Sequence, residues 1–226
     1  MNEIRALLQR EEPVRWVFAG DSITHGAAHT IGWRDYTELF SERVRWELGR
    51  VRDMVIKTGI SGWKITDLAA DLDWNVLQFR PHVVSMMFGM NDCTLGTDGL
   101  DTFEETYRVV IERIREATGA AIVLHTPNAI CSSTGEPRLS HLATYRDAIL
   151  AISAKTCVPC IDHYAEWAAN EATGSTHHWL ADGFHPNEYG HRAFARSLLQ
   201  ALDIWDPGSW SGSLPIPSLA PVAPRA

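Results

Sequence analysis

Val83-Val84-Ser85-Met86-Met87-Phe88, following Pro81, decides the fold. It is a short, nearly continuous apolar run, the pattern of a strand buried on both faces. Such strands belong to parallel sheets whose two faces are covered by helices. Reading outward, the same alternation recurs. Val14 to Ala19 reads as a first strand ending at Gly20, Val51 to Lys57 as a weaker, more polar second, Ala121 to His125 as a fourth and Val158 to Ile161 as a short fifth. Between them lie amphipathic stretches with helical period. These are Trp33 to Leu48, Ile65 to about Leu77 with a break near Asp73, Phe103 to Ala117 stopped by Gly119, Leu139 to Ala154, and about Asn187 to Leu202 opened by Pro186. Five strands separated by helices predict an α/β fold, a doubly wound three-layer α/β/α sandwich with a five-stranded parallel sheet of flavodoxin-like type. A (β/α)8 barrel needs more strands than the chain offers.

The 226 residues suit one domain over residues 1–205, followed by a Pro-rich C-terminal tail over 206–226. Trp205, Trp210, Leu214, Ile216 and Leu219 make that tail too apolar for a solvated linker. It is expected to dock, either on its own domain or on a second copy as a homo-oligomer. Twenty basic and 28 acidic residues give a net charge of −8, which disfavours nucleic acid as a partner. No apolar run reaches the ~18 residues of a membrane span, and no signal-peptide h-region follows Met1. Four cysteines are too few for a disulfide scaffold in a chain of this size. A cytoplasmic protein with reduced thiols is the expectation. Cys157 and Cys160 form a C-x-x-C that leads into a strand rather than opening a helix, so a structural role is favoured over a redox one.

Ligands of open parallel sheets sit outside the carboxyl ends of the strands. The loops there carry Gly20-Asp21-Ser22, Gly59-Ile60-Ser61-Gly62, Gly89-Met90-Asn91-Asp92 and Asp182-Gly183-Phe184-His185. Together they supply the kit for acyl transfer through a serine. A serine hydroxyl needs a base to take its proton, and histidine titrates near neutrality. Asp182 stands three residues before His185, so one tight turn can set its carboxylate against Nδ1 and orient the ring. The N–H groups of Ser22 and Gly62 and the side-chain amide of Asn91 are candidate donors to an oxyanion. Asp21 is expected to be structural, tying the turn. Singly, each residue has a plainer role as a cap, a turn former or a solvated side chain. Four such coincidences on one sheet edge weigh against that.

These four blocks, in this order and strand context, resemble the SGNH (GDSL-type) hydrolases. Ile23 stands where the name-giving pattern has Leu. The resemblance implies Ser22 as nucleophile, His185 as base, Asp182 as its orienter, and Ser22, Gly62 and Asn91 as the oxyanion hole. It covers lipases, thioesterases, phospholipases and carbohydrate acetylesterases alike. The expected activity is a metal-independent, cofactor-free serine ester hydrolase working through an acyl-enzyme on small-molecule esters, with short acetyl esters, of carbohydrates among others, favoured. Trp63, Trp179 and Phe184, with Trp33, are expected to form an aromatic rim for the substrate. An acyltransferase with the same triad, a lipase or thioesterase, and a non-catalytic binding module of the same fold stay open. No G-x-S-x-G elbow and no G-x-G-x-x-G after the first strand occur. Ser61-x-x-Lys64 and Lys57-Thr58-Gly59 lie too close together to face each other across a site. No metal ligand set is evident beside Ser22.

Overall fold

A computed structural model describes residues 1–171 and 176–217. Five strands, β1 Arg15–Gly20, β2 Met54–Lys57, β3 Val83–Met87, β4 Ala121–His125 and β5 Cys160–Ile161, form one all-parallel sheet in the order β2-β1-β3-β4-β5. The decisive run is the central strand: all five residues of β3 are buried, with Phe18 opposite Ser85 and Gly20 opposite Met87. Because the order reverses at β1, a crevice opens beyond the carboxyl ends of β1 and β3.

Helices cover both faces. They are α1 Asn2–Leu8, α2 Ser22–His25, α3 Tyr36–Ser41, α4 Ile65–Ala70, α5 Leu72–Asn75, α6 Leu100–Thr118, α7 Arg138–Thr156, α8 His163–Glu171 and α9 Glu188–Ala201. On one side α6 packs against α4 and α7; on the other α3 packs against α9. Helix α6 buries Phe103, Tyr107, Val110, Ile111 and Ile114 and leaves Val109 outside. Spacing alone does not reveal α1, α2 or α8.

Several boundaries shift for local reasons. The helix expected from Trp33 starts at Tyr36, because Asp35 caps it. Its Oδ1 accepts from Thr37 N (2.8 Å) and Glu38 N (3.1 Å), while Glu38 Oε2 accepts from Asp35 N (2.9 Å). From Glu42 to Glu47 the chain continues as a π-helix, with Trp46 turned outward. The break expected near Asp73 falls at Asp71. Strand β5 shrinks to two residues, since Cys157 takes a left-handed turn (φ 54°) and Pro159 has no N–H for a ladder. Cys157 and Cys160 are free thiols.

The tail from Asp206 to Pro217 lies on the domain. Ser211 donates to Glu47 through its N–H (2.7 Å) and hydroxyl (2.9 Å), and Arg192 reaches Pro215 O (2.9 Å). Trp205, Leu214 and Ile216 pack against the core, whereas Trp210 is 82% exposed. Leu219 lies outside the described residues.

At the opposite, amino end of the sheet, buried Asp53 ties three segments together. It accepts from Val14 N (2.9 Å), Trp16 Nε1 (3.1 Å) and the Arg50 guanidinium (2.9 and 3.0 Å). Removing one partner of a buried, hydrogen-bonded ion pair strands the other charge and costs about 3–5 kcal/mol. Asp53→Ala should lower unfolding stability by that order in urea titration. A loss below about 1 kcal/mol would show that Arg50 and the two N–H groups find water instead.

Candidate active site

Strand β1 delivers its last residue into a place that admits no side chain. A Cβ on Gly20 would lie 2.2 Å from Thr24 Oγ1 and 2.8 Å from Met87 O. The chain then turns directly into α2, a single helical turn capped by Asp21, whose Oδ1 accepts from Ile23 N (2.9 Å). Ser22 is thereby fixed at the sheet edge, 6% exposed.

Ser22 Oγ lies 3.0 Å from His185 Nε2, and His185 Nδ1 lies 2.7 Å from Asp182 Oδ2. The Asp182–His185 turn is held by its own backbone. Asp182 Oδ1 accepts from Phe184 N (2.9 Å) and His185 N (2.8 Å), and Ala181 N donates to His185 O (2.8 Å). A bridge between Leu180 and Pro186 closes it, and Asn187 caps α9 immediately after. Burial works against the Asp182 carboxylate. The two N–H groups and the imidazole more than offset it and hold its pKa below the ordinary value. His185 is pushed below the usual histidine value, mainly by burial, with Asp182 opposing and the charges of His29 and Arg138 adding to the fall.

The other two loops are locked together by Asp92. Its Oδ1 accepts from Ile65 N (2.8 Å) and its Oδ2 from Gly89 N (2.9 Å), which fastens the loop after β2 to the loop after β3. Asn91 Nδ2 donates to Trp63 O (3.1 Å), the residue after Gly62, whose φ of +85° suits glycine. Burial pushes the Asp92 carboxyl up to about 6 and that of Asp21 up to about 7. Asp21 Oδ2 has no partner among the described residues. Asp21 thus caps the turn, as expected, but through one bond only.

Two residues that the sequence did not single out complete the site. Arg138, at the start of α7, donates from Nη2 to Asn91 Oδ1 (3.1 Å) and from Nε to Met90 O (3.1 Å), with its guanidinium 4.3 Å above the Phe184 ring. Occupying Oδ1 fixes which way the Asn91 amide faces. His29 stacks on His185, centroids 3.5 Å apart and planes at 12°. No motif marks either residue; only the fold brings them in. His29, Asp182 and His185 also offer ligand atoms within 4.8 Å of one another. Ring nitrogens bind metals in the ring plane, however, and two stacked rings aim their lone pairs in parallel rather than at one point.

The expected aromatic rim is only partly present. Phe184 lies against His185 (centroids 4.0 Å), and Trp63 is half-buried at the Asn91 loop. Trp179 is not on the rim. It is 1% exposed, packs edge-on to Trp167 (5.1 Å) and donates to Pro217 O (2.9 Å). Trp179 ends the 3-10 turn Thr176–Trp179 just ahead of the Leu180–Pro186 bridge, and there its ring faces the core. Trp33 is exposed, away in a separate cleft.

A model of the GDSL-like Lipase/Acylhydrolase family matches residues 18–193. An acetylxylan esterase from Geobacillus stearothermophilus is 28% identical over 207 residues, covering 82% of this chain and 92% of that protein. Among solved structures, a catalytic mutant of an acetylxylan esterase from the same organism superimposes with a TM-score of 0.72 at 23% identity, covering 84% of this chain and 94% of that one. The enzyme LAE5 from the metagenome of Lake Arreo, Spain, has the same TM-score at 23% identity, covering 84% and 95%.

The stacked pair makes a titration test. Burial and the charge on His29 both disfavour a second positive charge on His185, so its pKa lies below the ordinary ~6.5. His29→Phe keeps the stack and removes the charge. An NMR titration should show the His185 pKa rising in that variant. An unchanged value would show that the two rings touch without coupling.

Proposed function

The chain belongs to the GDSL-like lipase/acylhydrolase family and is a carboxylic ester hydrolase, and from that premise we propose that it removes short acyl groups, acetyl foremost, from carbohydrates through an acyl-enzyme at Ser22. The observation that carries the mechanism is the unbroken contact chain Ser22 Oγ–His185 Nε2–Asp182 at 3.0 and 2.7 Å. The acetyl and carbohydrate parts of the proposal rest on similarity to acetylxylan esterases.

In this mechanism the Ser22 hydroxyl attacks the ester carbonyl while His185 Nε2 takes its proton. Asp182 holds the Nδ1 proton and stabilises the imidazolium that forms. The lowered His185 pKa keeps its ring neutral, and therefore a base, at neutral pH. The N–H groups of Ser22 and Gly62 and the Asn91 amide are the donors assigned to the oxyanion. Collapse of the tetrahedral intermediate expels the sugar alcohol, which receives the proton from His185. Water then attacks the acetyl-serine by the same path in reverse roles and releases acetate. Phe184, pressed between the Arg138 guanidinium and the His185 ring, is placed to bound the acyl group on one side.

Two kinetic outcomes test this. The wild type should hydrolyse p-nitrophenyl acetate with kcat/KM falling from acetyl through butyryl to octanoyl esters, and Ser22→Ala should lose several powers of ten in kcat while keeping its circular dichroism spectrum. A maximum at octanoyl or longer would reject the short-acyl proposal, and near wild-type turnover by Ser22→Ala would reject the nucleophile. Asn91→Ala should lower kcat about 10²–10³-fold with little change in KM, because the oxyanion exists only along the reaction path. A large KM rise at constant kcat would make Asn91 a ground-state contact instead.

A further inference from the structure

Beside the catalytic edge lies a cleft of about 590 Å³ that the ester chemistry does not use. Leu39, on α3, and Leu214, in the tail, are among the apolar residues lining it. Three exposed tryptophans stand around it: Trp33 is 58% exposed, Trp46 72% and Trp210 82%. They come from three separate segments, the loop before α3, the π-helical turn after it and the tail. Such a volume falls within the ~300–1,000 Å³ of ligand pockets.

We propose that this cleft binds a neutral, linear pyranose chain whose acetylated unit lies at Ser22. The inference rests on the carbohydrate-ester function proposed above and extends it from a small ester to a sugar polymer or oligomer. The lining chemistry selects that occupant. Pyranose rings present flat C–H faces that stack on indoles, and hydroxyl edges that need hydrogen-bonding partners. The cleft offers both, because Arg34, Glu42, Glu188 and Arg192 line it together with the tryptophans. Arg192 is held 5.9 Å over the Trp33 ring and donates to Pro215 O, and Arg34 pairs with Glu42 at 3.1 Å. Two positive and two negative side chains leave no net charge to select an anionic ligand. Fixed charges on the walls also penalise a lipid chain, whose burial would strip them of water.

Position supports the same occupant. Trp33 is on the loop that carries His29, which lies on the His185 ring. Glu188, the first residue of α9, comes three residues after His185, and Arg192 lies one turn along that helix. Two walls of the cleft are thus built by the segments that run on from His29 and His185, with Leu39 of α3 facing Glu188 and Arg192 of α9 across the lining. The lining runs from Trp33, ahead of α3, to Trp46, in the π-helical stretch after it, and a volume of about 590 Å³ is room for more than one sugar unit. A second copy fits less well. A two-fold contact would set this concave face against itself and leave the cleft between the copies unfilled.

The test is calorimetric titration of the full-length Ser22→Ala protein with unacetylated β-1,4-linked xylooligosaccharides, from dimer to hexamer. Affinity should climb with chain length. Adding Trp46→Ala or Trp210→Ala should each weaken the hexamer by about tenfold, and Trp46→Phe, which keeps an aromatic face, should restore most of the loss. Absence of binding, equal affinity for dimer and hexamer, or full affinity after loss of both tryptophans would overturn the proposal. So would a fall from dimer to monomer in Trp46→Ala without any sugar binding, which would make the patch a contact between copies. Wild-type turnover of p-nitrophenyl acetate reports separately on the ester reading, since that substrate has no chain to fill the cleft.

Discussion

The reversal of strand order at β1 is the constraint on which the site depends. A parallel sheet built β2-β1-β3 must send the chain to opposite sides after β1 and after β3, and the loops that leave those two strands part to form a crevice. Ser22 leaves one wall and Asn91 the other. The backbone contact that forbids a Cβ on Gly20 is made with Met87 at the end of β3, so the two walls are in register because the two strands are. Sheet hydrogen bonding therefore sets the spacing of the reacting groups.

Buried carboxylates finish what the sheet begins. Asp92 receives N–H groups from two loops and holds them at a fixed separation, and Asp21 closes the turn below Ser22. Both are raised well above ordinary carboxylates by burial and stand close enough to disfavour each other's charge. The electrostatic stress of the site is thus carried behind Ser22, in groups that do not face the substrate. Arg138 lies between these layers. It is a cation that lowers His185, orients the Asn91 amide and supports Phe184 at once. Its substitution would therefore disturb three local properties together.

Much of this was legible in the sequence. The five-strand order of apolar runs is visible because parallel strands are buried on both faces and carry no polar alternation. Ser22, Asn91, Asp182 and His185 are visible because loops after successive strands share one edge. Arg138 and His29 are not, since they reach the site through tertiary packing and no spacing rule links them to it. The tryptophans mislead for a related reason. Trp179 sits three residues before Asp182, yet the bridge between Leu180 and Pro186 turns it inward, while Trp46, far from every motif, is turned out by a π-helical stretch that a simple helical period does not foresee. Chain proximity locates a backbone and leaves the direction of a side chain open.

The turn from Asp182 to His185 carries its own internal bonds. The carboxylate accepts both N–H groups of its own loop, the imidazole is held by that same carboxylate, and the bridge below closes the ring without help from the sheet. Outward, His185 reaches Ser22 at 3.0 Å, and the loop after β4 holds the turn from behind, with Cys131 N donating to Gly183 O (3.2 Å) and Asn128 Nδ2 to Phe184 O (3.0 Å). Carboxylate and imidazole therefore form a cartridge, and Ser22, the proposed nucleophile, belongs to the chassis. A shift of the loop after β4, which holds Gly183 and Phe184, can therefore move the cartridge as a unit without altering its internal geometry. Local opening of this edge would separate serine from imidazole while leaving imidazole and carboxylate joined. Evolution can retune how the two parts meet, and with it the room left between them, while leaving the carboxylate–imidazole pair untouched.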